Sequence, residues 1–351
     1  MTQPDRVTLP TPILEPAGKA PQQEPEAIPV PSEPSEIRRF LRARSSGRAA
    51  DGTFGGLMLM AALSIFVIVA LILWVLIHNS QLSIHAFGWK FFRTSDWDPV
   101  SGSFGALPFI YGTLVSSFLA LLIAVPLSLC VSIFVLDICP PILRGPISFL
   151  TELLAAIPSV VYGLWALVVL VPIVRDNAGP LLTKWLGWTG LFAEPNFGVG
   201  MFTAGIVLAI MIFPIISSIS RDVMKAVPIH QREAALALGA TRWEMLRIGV
   251  LRNARIGIVG AVILGLGRAL GETIAVTMVI GNHPDIVKNL FNPAYTLASV
   301  IANEFTEATG DLYVSALIEI GLALFLVTVV VNAIARILVW AVTRGASTRT
   351  A

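Results

Sequence analysis

The sequence predicts an all-α membrane protein with six transmembrane helices, and three observations predict it. Of 351 residues, 55% are hydrophobic and 13% are charged, against roughly 25% charged in an ordinary soluble domain. A soluble domain cannot bury so much apolar surface, whereas a bilayer covers it. Long apolar runs recur six times, each reaching the roughly 20 residues that cross the hydrocarbon core. Lysine and arginine, finally, are distributed unevenly about those runs.

The elements follow in order. Residues 1–36 are rich in proline and glutamate and poor in large apolar side chains, so they cannot offset their chain entropy and read as disordered. No apolar core lies near the N-terminus, as a cleavable signal would require. The basic stretch Ile37–Arg44 precedes the first run and reads as a topology signal, with contact to anionic lipid headgroups as the alternative. Residues 1–53 together read as a cytoplasmic tail with a basic juxtamembrane segment.

The apolar runs are Phe54–Ile77, Ala106–Leu136, Leu153–Val174, Pro195–Ser220, Ile256–Ile280 and Leu312–Ala335. The second is long enough to tilt or break, with Pro108 and Pro126 as places for it. None shows the alternation of barrel strands, so the spans are helices. Residues 54–343 form the transmembrane domain, and 344–351 a short C-terminal tail. Cys130 and Cys139 suggest neither a disulfide framework nor a metal site.

Orientation comes from the positive charges. With the N-terminus inside, inner segments hold seven Lys/Arg before the first span, Arg144, seven from Arg221 to Arg255, and three from Arg336 onward. The outer connections hold only Lys90, Arg93, Arg175, Lys184 and Lys288. This bias places both termini in the cytoplasm.

The dominant inner loop, residues 221–255, has structure of its own. Pro228 suits the first turn of a helix over Ile229–Leu238, and Gly239 suits the left-handed position after it. Thr241-Arg242-Trp243-Glu244 fits a capping box opening a second helix. A short helix bearing Ala234, Ala235 and Ala237 can enter a groove on another protein closely, or it can lie on its own bundle, the reading that composition alone favours.

Two charges lie within the fifth run. Arg268 is about 13 residues past Arg255, or roughly 20 Å at 1.5 Å per residue, where an ionised group marks a pathway by default. Four residues apart, Arg268 and Glu272 are expected to share one helix face. One reading is a structural pair; the other is a cationic point that transiently holds an oxyanion, moderated by Glu272. Gly267 and Gly271 permit close helix contact. Glu319 is a third intramembrane acid with no assigned role. The chain has no Gly-x₄-Gly-Lys-Ser/Thr loop, so ATP would be bound by another subunit.

Glu233-Ala234-Ala235-Leu236-Ala237-Leu238-Gly239 resembles the EAA signature of ABC importer permeases. In that family the segment docks on the ATPase, which makes Glu233, Ala234, Ala235 and Gly239 the coupling residues. Where the family continues with apolar-x-Leu-Pro, this chain has Gly249, Val250, Leu251 and Arg252, keeping only the leucine. Gly265–Thr273 and Glu152–Trp165 are similar to the phosphate-specific branch, and Phe104–Leu114 to its PstC rather than PstA subunit. The resemblance implies a type I ABC importer permease fold and an inorganic phosphate importer. It implies a PstA-like partner permease, two copies of a cytoplasmic ATPase carrying ATP and magnesium, and an extracytoplasmic phosphate-binding protein. The chain itself would be non-catalytic and bind no cofactor. A sulfate or molybdate importer preserves every structural expectation. An ion-driven transporter would leave the EAA loop unexplained, and an enzyme using Glu152, Glu272 or Glu319 would lack a nucleophile or metal cluster.

Overall fold

A computed structural model describes residues 45–347, with side chains for residues 51–340. The described residues divide into two units, the boundary falling between Val69 and Ala70. Of the first, the described part is helical from Ser45. The expected disordered tail and basic segment before Ser45 lie outside the described residues. Residues 45–53, read as tail, instead belong to the first helix, since extending an existing helix costs far less than starting one.

Eleven helices organise the described residues. They are α1 (Ser45–Asn79), α2 (Gln81–Phe87), α3 (Leu107–Ile138) and α4 (Pro141–Ala156). Then follow α5 (Ser159–Thr189), α6 (Met201–Lys225), α7 (Ile229–Ala237) and α8 (Arg242–Gly271). Last come α9 (Ile274–Val279), α10 (Leu297–Glu304) and α11 (Asp311–Ser347). Six of them, α1, α3, α5, α6, α8 and α11, are long and apolar enough to span a membrane. The second run stays one helix through Pro126, with Pro108 in its first turn, where a missing N–H costs nothing.

Within the second unit the core is built on α3 and α6. Ala120 and Ala124 of α3 are fully buried against Ala204, Leu208 and Ile212 of α6, and such small residues let backbones approach closely. The Ser132 hydroxyl donates to the Ser217 carbonyl at 2.8 Å, and the Ser128 hydroxyl to that of Phe213 at 3.1 Å. At one end of α3, Phe91, Trp97, Phe104, Phe109 and Tyr295 form a second buried cluster beneath α10. At the other end, Met224, Met245 and Val250 form a third, against which α7 lies.

Two expected spans are not continuous helices. The third run is split between α4 and α5, because Ile157 (φ −67°, ψ 129°) and Pro158 (φ −59°, ψ 142°) are extended. Pro158 disfavours the helical region for the residue before it. The fifth run ends at Gly271, and Glu272 (φ −71°, ψ 127°) is extended before α9 begins. The loop is also shorter than 221–255: α6 continues to Lys225, and α8 runs unbroken from Arg242 into its span.

Candidate substrate path and docking helix

The two breaks are neighbours. Gly163, just past Pro158, faces α9 so closely that a Cβ would lie 2.6 Å from Met278 Sδ and 3.0 Å from the Ala275 Cα. The absence of a side chain at Gly163 is what lets α5 and α9 meet. Each break frees backbone carbonyls, and side chains take some of them up. The Tyr162 hydroxyl donates to the Leu154 carbonyl across the first break at 2.6 Å, and the Thr273 hydroxyl to that of Gly271 across the second at 3.3 Å.

Arg268 stands in the last turn of α8 and is exposed. It lies close enough to the buried Tyr162 for its charge to act on the phenol. Glu272 is half-buried. The expected i, i+4 relation does not form, because Glu272 is past the end of the helix. Among the described residues, no ion pair contains Arg268 or Glu272. The close contact expected at Gly267 and Gly271 is also absent: a Cβ at either would meet nothing within 4 Å. Gly257 and Gly265 pack instead, against Val223 and Ile216 of α6.

A backbone break at membrane depth persists only where protein or water covers its polar groups. In secondary transporters such interrupted helices hold charged cargo, because their freed backbone groups can face an ion. The site therefore combines a cation, a phenol, a carboxylate and two helix breaks, open on the Arg268 side. Sequence reasoning identified Arg268 and Glu272 but missed Tyr162 and both breaks. Pro158 inside an apolar run was the available signal for the first.

The other candidate residues gather on α7, far along α3 from the aromatic cluster. Pro228 (φ −56°, ψ 138°) caps it, and it ends in a Schellman turn. There the Ala240 N–H donates to the Ala235 carbonyl at 3.2 Å and that of Gly239 to Leu236 at 2.9 Å. Gly239 takes φ +82°, a conformation a Cβ disfavours. Thr241 and Glu244 then form the expected capping box into α8. Glu233 and Ala234 are exposed, whereas Ala235 is turned inward onto the Met224 and Val250 cluster. Leu238 is 90% exposed and Trp243 61%, and exposed apolar residues together signal a surface that another protein covers.

The family described as "Binding-protein-dependent transport system inner membrane component" matches residues 140–344. Over 317 residues the chain is 44% identical to "Phosphate transport system permease protein PstC" of Mesorhizobium japonicum, spanning 89% of this chain and 95% of that one. The chain belongs to the PstC branch of this family. The protein of the same description from Haemophilus influenzae is 48% identical over 282 residues, 79% of this chain and 89% of its own. A chain of the inward-facing MetNI methionine ABC transporter aligns over 66% of this chain and 93% of its own, at 19% identity and a TM-score of 0.43. As a PstC-branch permease, the chain is a multi-pass membrane subunit of a binding-protein-dependent transport system. Both helix breaks, Arg268 and α7 fall inside the matched segment.

Proposed function

We propose that this chain conducts inorganic phosphate through the membrane of an ATP-driven importer, with Arg268 as the transient anion-binding group. The observation that carries the reading is Arg268 itself, exposed in the last turn of a helix long and apolar enough to span a membrane, beside two adjacent helix breaks, and paired with no carboxylate among the described residues. A planar guanidinium can grip two oxygens of a tetrahedral oxyanion at once. Glu272 lies close in sequence, on the broken segment, and tempers that attraction so the anion is released. Through α7, with Glu233, Ala234 and Gly239, the chain docks on an ATPase that supplies the energy; Ala235 seats the helix on its own bundle.

The complex would contain a PstA-like permease, two ATPase copies binding ATP and magnesium, and an extracytoplasmic phosphate-binding protein. The transmembrane domain, residues 54–343, would lie in the plasma membrane with both termini cytoplasmic. The open glycine positions Gly267 and Gly271 suit close approach by the partner permease. The test is uptake of labelled phosphate, sulfate and molybdate by vesicles holding the assembled complex and ATP. Saturable, ATP-dependent phosphate uptake that the other two anions fail to match supports the reading. Preferential sulfate or molybdate uptake would reassign the cargo while leaving the permease architecture intact.

A further inference from the structure

α7 is not merely resting on the bundle. Arg232, on the turn preceding its exposed alanine, donates through Nη1 to Asp137 Oδ1 at 2.8 Å and through Nη2 to the Met224 carbonyl at 3.1 Å. Asp137 belongs to a widened turn at the end of α3, and Met224 to the end of α6. Both charged side chains are about four-fifths covered, at 19% and 20% exposure. Asp137 Oδ2 is buried with no hydrogen-bond partner, so Arg232 is the group that compensates this carboxylate. The neighbouring Gln231 side chain accepts from Asn253 of α8. Gly249 lets α8 approach so closely that a Cβ there would lie 3.2 Å from the Gln231 carbonyl oxygen.

Arg232 thus ties the docking helix to α3 and α6 together, and these two helices form the packed pair of the core. We propose that the Arg232–Asp137 pair is the positioning link that passes displacement of α7 to the α3–α6 pair, thereby coupling ATP hydrolysis to transport. This rests on the reading of α7 as the ATPase-docking helix. An ordinary exposed ion pair would contribute little. Here removal of one partner strands a mostly covered charge, which costs more than the loss of an exposed pair. Arg232 and Asp137 touch neither substrate nor ATP; they act through α7.

The experiment uses the full complex in vesicles, with Arg232→Gln, Asp137→Asn, and the charge-reversed pair Arg232→Asp with Asp137→Arg. Three quantities are read at matched membrane abundance: ATPase retained on the chain, ATP hydrolysed, and inorganic phosphate taken up. Each single variant is expected to retain the ATPase while uptake per ATP falls about fivefold or more, the low end of coupling between sites. The reversed pair is expected to recover part of the ratio. An unchanged ratio in both single variants overturns the proposal. So does a parallel fall of abundance, hydrolysis and uptake with the ratio constant, which a purely structural pair would give. Ala234→Cys cross-linking to the ATPase, in the otherwise unaltered complex, separates the two levels. Cross-linking with an unchanged ratio defeats only the link, and failure to cross-link defeats the docking reading on which the link depends.

Discussion

Gly163 and Ala275 meet backbone to backbone, and that contact brings the two broken helices α5 and α9 together. A methyl group on Gly163 would have to push Met278 aside and press on the Ala275 Cα. Met278 can swing away, but the Ala275 backbone cannot. Gly163→Ala should lower the unfolding midpoint in detergent, at a cost of about 1–3 kcal/mol for overpacking. Gly163→Leu should prevent assembly of the site. Gly267→Ala is the control: nothing lies within 4 Å of its Cβ, so the isolated chain should hold or gain stability, by up to ~1 kcal/mol from helix propensity.

The spans were legible because burial in lipid demands nearly uniform apolar runs, and Val, Leu and Ile filled them. The turn after α7 was legible too, since Gly239 and the Thr241–Glu244 box are local signals. The breaks were not. Apolar residues continue on both sides of Pro158 and of Glu272, and a hydropathy window averages across the gap. Gly271-Glu272-Thr273 contains no proline, and a single glycine inside an apolar run is tolerated in a helix, so the local signal that the chain leaves the helix there is weak. Arg232 and Asp137 are 95 residues apart, and nothing local joins them.

The Schellman turn gives a separate prediction. Gly239 sits at φ +82°, so Gly239→Ala should cost about 1–2 kcal/mol, and Gly239→Pro, locked near φ −65°, should unfold the turn. Ala234→Trp, on an exposed face, should leave insertion and stability unchanged. Both Gly239→Pro and Ala234→Trp should lose ATPase from purified membranes and abolish uptake. Retention of ATPase by Ala234→Trp would place the docking surface elsewhere.

At the far end, Glu304 Oε2 accepts hydrogen bonds from Trp97 Nε1 and the Tyr313 hydroxyl, each at 2.8 Å. Glu304→Ala strands both donors and should lower thermal stability by about 1–3 kcal/mol per donor. Nearby, burial first of all pushes the Tyr295 phenol up to about 12, whereas an unfolded tyrosine ionises near 10. The folded state thus holds its proton longer, and its stability must fall as pH rises from about 10 to about 12. Thermal unfolding across that range should show the decline, and Tyr295→Phe should make the decline shallower, at the expense of the Asn303 hydrogen bond.

Orientation is open to labelling. Val100 is 98% exposed and Leu238 90%, at opposite ends of α3. In a Cys130→Ala background, a cysteine at position 100 should react with an impermeant maleimide on intact cells, and one at 238 only after lysis. The reverse pattern would invert the topology argued from the positive charges.

The central claim is that Arg268 touches the anion in transit, and phosphate uptake at matched abundance tests it most directly. The variants are Arg268→Gln, Glu272→Gln and their combination, in complexes that still hydrolyse ATP. No ion pair joins the two residues, so neutralising Glu272 cannot relieve a stranded charge left by Arg268→Gln. The account predicts that Arg268→Gln abolishes uptake, that the double variant stays inactive, and that Arg268→Lys transports poorly because lysine lacks the planar fork. Uptake restored in the double variant, or undiminished in Arg268→Gln, would contradict it.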